Sequence, residues 1–559
     1  MRRGYWAAPE LLLLIVSAAS MVWAGIALRP ATWAETEALR YAPDMQNAWK
    51  WGSRAARDGY VQLYQSVVDP KRNDTPKDYG LDYVPLRLAV MTLWAKSRLA
   101  VDPNIRKWQS DYAFNAPLLH FNTSMELLGA LGIFAVARQW SRRDDAQRSI
   151  RRRWFRAEWL ALIAFGLVWF NPAALLSAHA RPTWDAWVLP FFIWAVWFAA
   201  RGSWLAAGIV LGVGTMLKGQ QLVVLPMFIL WPLMGFRITA AARFVLGFVL
   251  SIGILVSPWI VPMRVLPMAF VLMLALAPLA AWIALRRWPI RGRLMPTSWL
   301  RWTIPLSLAI GLLFCLPLFG GSMDWFQVGF VYGAQKFTGL EVGGASSLAG
   351  ILQNVYGWQA TMPVLPLEWI GIHATIAQVM MAVFALCVLL ICWGIHRYER
   401  AGDARFVLAI AAPWIVYFAV FPQMHERYLL WGALAACAAT VVNSGSVLLA
   451  IFFSLCSTIM SLYQMLPRNR ADEFLTDLGP NAGEMLHDFV RPTFPDIGWA
   501  ILLGSAVWIW IVLSGALGAR LPARAGRAGG FEIIGDDETI NADRPQVGQA
   551  EMIVRKNPE

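Results

Sequence analysis

Side chains able to move a proton or hold an anion are scarce in this chain, and they gather in a few short places. Gly80-Leu81-Asp82-Tyr83-Val84-Pro85-Leu86 follows the first long apolar run, and Met424-His425-Glu426-Arg427-Tyr428 separates two late ones. His179-Ala180-Arg181-Pro182-Thr183-Trp184-Asp185 and Lys218-Gly219-Gln220-Gln221 stand at two more junctions between apolar runs. A carboxylate in such a place can accept a proton, and fixed cations can stabilise negative charge. Ionisable groups next to hydrocarbon are costly, so their presence calls for partners or for use.

Each group also has a plain structural role open to it. Asp185 can cap the helix that follows, Lys218 can snorkel to the lipid headgroups, and His425 to Arg427 can anchor the ends of two spans. Asp44 and Asp82 share their stretch with Glu35, Glu37, Asp58, Asp69, Asp74 and Asp78, so carboxylate content alone does not single them out. Asp82 is set apart by its neighbours, since Gly80-Leu81 and Tyr83-Val84-Pro85 place it where the chain drops onto the membrane.

The elements that must position these groups are spans. Of 559 residues, 58% are hydrophobic and 15% charged, and there are 31 tryptophans, which excludes an ordinary soluble globule. Runs of roughly 20 apolar residues recur from 11–28 to 499–517, about 14 in all by length. The expected fold is therefore all-α and polytopic, with the first run retained as a helix. The five cysteines, Cys315, Cys387, Cys392, Cys437 and Cys456, lie inside apolar runs and outline neither a disulfide nor a zinc framework.

The net charge of +13 does not imply nucleic acid, because the basic residues cluster in connections 138–156, 286–301 and 520–527. The positive-inside rule puts those connections and both termini in the cytoplasm. Segments 29–115, 320–372, 423–428 and 464–497 then lie outside, and every polar signature falls on that outer face. Residues 1–518 form the membrane domain, and 519–559, polar and mixed in charge, form a disordered cytoplasmic tail. In the first outer segment, 44–57 and 85–99 are expected helices. The second is amphipathic, with Leu86, Leu88, Val90, Leu93 and Trp94 facing either the bilayer surface or the bundle, and Arg87, Lys96 and Arg98 at lipid phosphates.

Taken together these residues resemble the GT-C glycosyltransferases, multi-spanning enzymes whose donor is a polyprenyl-phosphate-linked sugar. The likeness is greatest to the endoplasmic-reticulum dolichyl-phosphate-glucose glucosyltransferases and their bacterial relatives. Asp44 with Trp51, Gly80 to Leu86, Lys218 with Gln220, and His425 to Arg427 occur in the family's order. The likeness covers about the first 230 residues and the neighbourhood of His425. Val84 stands where the family has proline, Gly219 separates Lys218 from Gln220, and the residues just after Asp44 differ from the eukaryotic pattern.

The resemblance implies inverting transfer of a sugar to a lipid-linked or cell-envelope glycan on the outer face of a membrane, there the periplasmic face of a bacterial inner membrane. It implies Asp44 as general base, with Asp82 orienting the acceptor or the cap. Lys218, Gln220, His425 and Arg427 would hold the donor phosphate, and Tyr83, His179, Asp185 and Glu426 would bind or position substrate. Lys336 and Glu341 are weaker candidates for substrate contact. No obligatory cofactor is expected, since Asp44 and Asp82 lack a ligand spacing, although a divalent cation is compatible with the family. The competing expectation is a secondary transporter or flippase of a lipid-linked sugar, which would place its ionisable groups near mid-bilayer.

Overall fold

The computed structural model describes residues 7–37, 42–68, 81–147, 156–260, 324–332, 339–364, 371, 373–465 and 482–519. Gly80, Lys336, Cys315, the basic connection 286–301 and the tail 520–559 lie outside them, as do parts of the outer segments 320–372 and 464–497. The described residues are mostly helical. Seven helices are long and apolar enough to cross a membrane, and four shorter apolar helices accompany them. The chain is accordingly a membrane protein, and with residues 261–323 outside the description these numbers are a minimum beside the expected 14.

The bundle has two chemically distinct ends. At one, Arg237 pairs with Glu399, which also accepts from Trp231 Nε1 at 2.8 Å, and Arg201 stacks on Trp197. Nearby, Arg138 and Arg142 both pair with Glu158, and Arg405 pairs with Asp403. The helices Val188–Ala200, Trp204–Leu217 and Phe406–Val420 each join this end to the opposite one, where Asp185, Lys218 and Met424-His425 are found.

At the other end the described parts of segment 29–115 form a helical cap. Pro43–Asp58 begins with proline at its first position, where the missing N–H costs nothing. Pro85–Val101 begins the same way. Both helices outrun the expected 44–57 and 85–99 by only one or two residues. They pack closely: a Cβ added at Gly52 would lie 2.5 Å from the Met91 carbonyl oxygen, so only glycine allows the approach.

The pairing decides which face of Pro85–Val101 is buried. Leu88, Met91, Trp94 and Ala95 enter the cap core, while Leu93 is left exposed. Trp49, Trp94 and Phe114 meet edge to face at 4.8–5.6 Å. Each ring removes on the order of 150–250 Å² from water, which makes this trio a main source of the cap's cohesion.

A short parallel pairing closes the far side. Glu341–Gly343 lies beside Met424–His425, and Gln464 donates to the Gly343 carbonyl at 3.3 Å. Residues from all four expected outer segments therefore meet at one end of the bundle. The cysteines Cys387, Cys392, Cys437 and Cys456 are free thiols.

Candidate functional site

Asp44 sits in the first turn of Pro43–Asp58, where a carboxylate gains from the helix dipole. Its Oδ2 accepts from an Arg427 amino group at 2.8 Å, joining the cap to the connection between the Phe406–Val420 and Leu429–Ala436 helices. Arg427 Nε lies 3.3 Å from Asp185 Oδ2, and Asp185 Oδ1 accepts from Lys218 Nζ at 2.5 Å. The four residues form an alternating chain of charges drawn from four distant segments. Alternation matters because each buried charge here has an opposite neighbour, without which desolvation would expel it.

The two acids differ in access. The Asp185 side chain is fully buried and committed to its two cations, whereas the Asp44 side chain is 26% exposed. Asp44 Oδ1 has no hydrogen-bond partner among the described residues. Burial works to raise the Asp44 pKa, but Arg427, Arg87 and Lys218 outweigh it and hold the carboxyl below its ordinary value. Asp44 is thus an ionised, accessible carboxylate with one oxygen to spare.

Lys218 does not snorkel. It is 3% exposed, ends Trp204–Leu217, and lies 5.4 Å and 5.9 Å from the ring centroids of Trp431 and Tyr428. The aromatic rings of Tyr417, Tyr428 and Trp431 stack beneath it, and Trp431 Nε1 donates to the Asp185 carbonyl at 3.1 Å. Nor is Asp185 a helix cap, since its carboxylate makes no capping bond to the turn it begins. The helices on either side have 13 and 14 residues, about 20 Å at 1.5 Å per residue, against about 30 Å of hydrocarbon. The Lys218–Asp185 pair thus lies at the ends of two helices that are each shorter than a full hydrocarbon crossing.

His425 faces Gly343 across the short parallel pairing, and its Nδ1 contacts Glu426 Oε2. A Cβ at Gly343 would come within 2.6 Å of the imidazole, so the glycine makes room for the ring. Burial and the Arg427 charge lower the His425 pKa against the pull of Glu426. The buried Glu426 contacts His425 and accepts from Arg181 at 3.0 Å. Gln220 donates to the Tyr428 hydroxyl at 3.3 Å, and Gln221 turns inward to the Val188 carbonyl.

Tyr83 serves the cap's interior. Its hydroxyl accepts from Trp184 Nε1 at 3.0 Å, its carbonyl accepts from Tyr64 at 2.9 Å, and Trp51 meets its ring edge to face. Asp82 is half-buried beside it, near enough for its charge to act on the Tyr428 phenol. Asp82 thus stands next to the chain of charges but supplies none of its four members.

His179 belongs elsewhere. Its Nε2 is 2.9 Å from Glu126 Oε2, which also accepts from Arg29 Nε at 2.7 Å, and Arg29 lies over the Trp169 ring. These three groups tie spans Ala8–Glu35, Tyr112–Asp144 and Arg156–Ala180 together. The local π-helix Leu176–Ala180 turns His179 into that buried cluster and away from a ligand.

Two residues with a place in the site were not singled out by sequence. Arg181 holds Glu426, and the only hint is its position inside the turn that ends at Asp185. Arg87, expected at lipid phosphates, instead stacks 3.5 Å above the Tyr83 ring, and its charge reaches Asp44 and Lys218. It has no ion pair or hydrogen bond among the described residues, and its Nε is buried. The signal was its spacing, two residues past Pro85 on the exit of the Gly80 to Leu86 motif. Compared with protein-family models and with the curated proteins, the chain matches none.

Among the described residues no three His, Cys, Asp or Glu side chains are close enough to hold a metal ion. What the geometry offers is one accessible carboxylate beside several fixed cations. That combination can accept a proton from a hydroxyl while stabilising negative charge on a nearby anion.

Proposed function

We propose that this protein is an inverting GT-C-type glycosyltransferase that moves a sugar from a polyprenyl-phosphate donor to a lipid-linked or cell-envelope glycan acceptor. The observation that carries this reading is the approach of Asp44 to Arg427, 383 residues apart, with Asp44 Oδ1 unoccupied and Arg87 and Lys218 in electrostatic reach. The location that fits is the outer face of a bacterial inner membrane, with the termini inside.

In the proposed step the acceptor hydroxyl gives its proton to Asp44 as its oxygen bonds to the anomeric carbon. The anomeric carbon–phosphate oxygen bond breaks on the opposite side, and that electron pair leaves with polyprenyl phosphate. The donor phosphodiester carries one negative charge and the leaving phosphate gains another, so no general acid is required. Arg87, Arg427 and Lys218 stabilise that growing charge, and His425 lies beside them with its Nδ1 at Glu426. Glu426 and Arg181 hold His425 in place, Gln220 orients Tyr428, and Asp185 keeps Lys218 charged by pairing with it.

Arg87 is the cation least committed to the protein, so its replacement tests the assignment cleanly. Arg87→Gln should lower turnover roughly 100-fold, with Arg87→Lys intermediate, while the melting temperature hardly moves. Equal turnover of Arg87→Gln and wild type with saturating donor removes Arg87 from the reaction. The pH profile is a second check. A base held below the ordinary carboxylate range stays ionised down to about pH 4, so activity should be level from pH 6 to 7 and fall only at strong acidity. An acid limb centred between pH 6 and 7 would assign the base to another group.

The burial of Lys218 and Asp185 at the ends of short apolar helices favours one rival, a carrier of lipid-linked sugar, whose ionisable groups would sit within the hydrocarbon. The deciding experiment incubates the purified, detergent-solubilised protein with radiolabelled polyprenyl-phosphate sugars and candidate acceptors. Labelled product that depends on Asp44 supports transfer. Movement of labelled lipid across proteoliposomes without product supports the carrier.

A further inference from the structure

The cap has a second chemically distinct surface, roughly a third of a turn round the Pro43–Asp58 helix from Asp44. There a cavity of about 640 Å³ opens between this helix and the connection that follows Pro85–Val101. Lys50, Arg54 and Arg57 line it from the helix, spaced so that they share one face, and Arg106 and Lys107 line it from the connection. Among the lining residues Asp58 is the one carboxylate, held by Arg54 at 3.2 Å, and Lys50 and Arg54 have further partners of their own.

The walls are built in advance of any ligand. Arg57 donates to the Ile105 carbonyl at 3.1 Å, fastening the helix to the connection. Asp102 accepts from the Asn104 backbone at 2.9 Å, Trp108 Nε1 donates to Asn115 at 3.0 Å, and Asn115 donates to the Gln109 carbonyl at 2.9 Å. Arg106 and Lys107 are exposed and have no hydrogen bond or ion pair among the described residues. Trp49, which lines the cavity, is buried with its Nε1 lacking a hydrogen-bond acceptor. Arg57, Arg106 and Lys107, gathered round a pre-formed hollow without an ion pair among the described residues, favour an anion between them, and arginine forks match phosphate oxygens.

The geometry points to a binding site for a phosphate-bearing ligand in this cleft, separate from the Asp44 site. Two sources share that chemistry, an anionic phospholipid headgroup and a soluble diphosphate. The site does not depend on the transfer reaction proposed above, because its occupancy is read without any sugar donor or acceptor.

The test uses the full-length protein in phosphatidylcholine nanodiscs titrated with inorganic pyrophosphate by calorimetry. In parallel, nanodiscs of mixed phosphatidylcholine and phosphatidylglycerol are used, with retained lipid read by native mass spectrometry. Wild type, Arg106→Gln/Lys107→Gln and Arg106→Lys are compared, all checked for equal melting. Saturable pyrophosphate binding that weakens roughly tenfold or more in the double variant and persists in Arg106→Lys supports a soluble diphosphate. Phosphatidylglycerol enrichment that is lost in the double variant, without pyrophosphate binding, supports a headgroup. If neither probe binds, or the double variant binds as wild type does, the site is overturned.

Discussion

Asp44→Asn is expected to take sugar transfer to background in purified protein while leaving folding and donor binding nearly intact. Loss of a general base alone is worth about 10²–10⁴ in rate. Asparagine matches aspartate in shape but cannot accept the acceptor's proton, and Oδ1 is the oxygen with no partner among the described residues. The structural cost should be small because the Asp44–Arg427 pair is partly solvated, 26% and 19% exposed, and such pairs are worth about 1 kcal/mol or less. Turnover in the variant equal to that of wild type would reject Asp44 as the base. Lost turnover accompanied by lost melting would show only that the cap had come apart.

Asp185 should behave in the opposite way. Its carboxylate is fully buried between Lys218 at 2.5 Å and Arg427 at 3.3 Å, so Asp185→Asn leaves two cations facing a neutral amide without solvent to screen them. Breaking one side of a buried pair typically costs about 3–5 kcal/mol. The purified variant should melt well below wild type in detergent. Adding Lys218→Met removes the more deeply buried of the stranded charges and should recover part of the loss, a coupling on the order of 1–3 kcal/mol. Melting of Asp185→Asn at the wild-type temperature, or strict additivity of the two changes, would mean that the pair does not hold this end of the bundle together.

These contrasting outcomes separate two acids that look alike in sequence. Both follow apolar runs and both lie near aromatic residues, yet one is accessible and the other enclosed. The difference arises from which segments cover them. Asp44 sits at the end of a cap helix with open surface beside it. Asp185 is roofed by Trp431 and by Lys218, which reach it from 246 and 33 residues away.

Much of the scaffold is written locally. Apolar runs and the grouping of basic residues in connections reveal spans and their relative direction, because partition into hydrocarbon and repulsion of positive charge act on each segment separately. The two cap helices are equally local, each opened by proline and free of interior breakers. The buried face of Pro85–Val101 was not local. Its leucines suited either lipid or protein, and Gly52 settled the matter by letting the partner helix approach.

The sequence by itself determined that the chain lives in a membrane and that Lys218 and His425 to Arg427 stand at junctions between apolar runs, whereas Asp44 was set apart from the neighbouring acids only by the resemblance. Tertiary structure alone decided their relations: Arg427 bridges Asp44 to Asp185, Arg87 faces the site, Glu426 holds Arg181 as well as His425, and His179 joins Arg29 and Glu126 instead. Hydropathy is a property of neighbours along the chain. Ion pairing is a property of neighbours in space, and a buried charge takes whichever partner packing brings within a few ångströms.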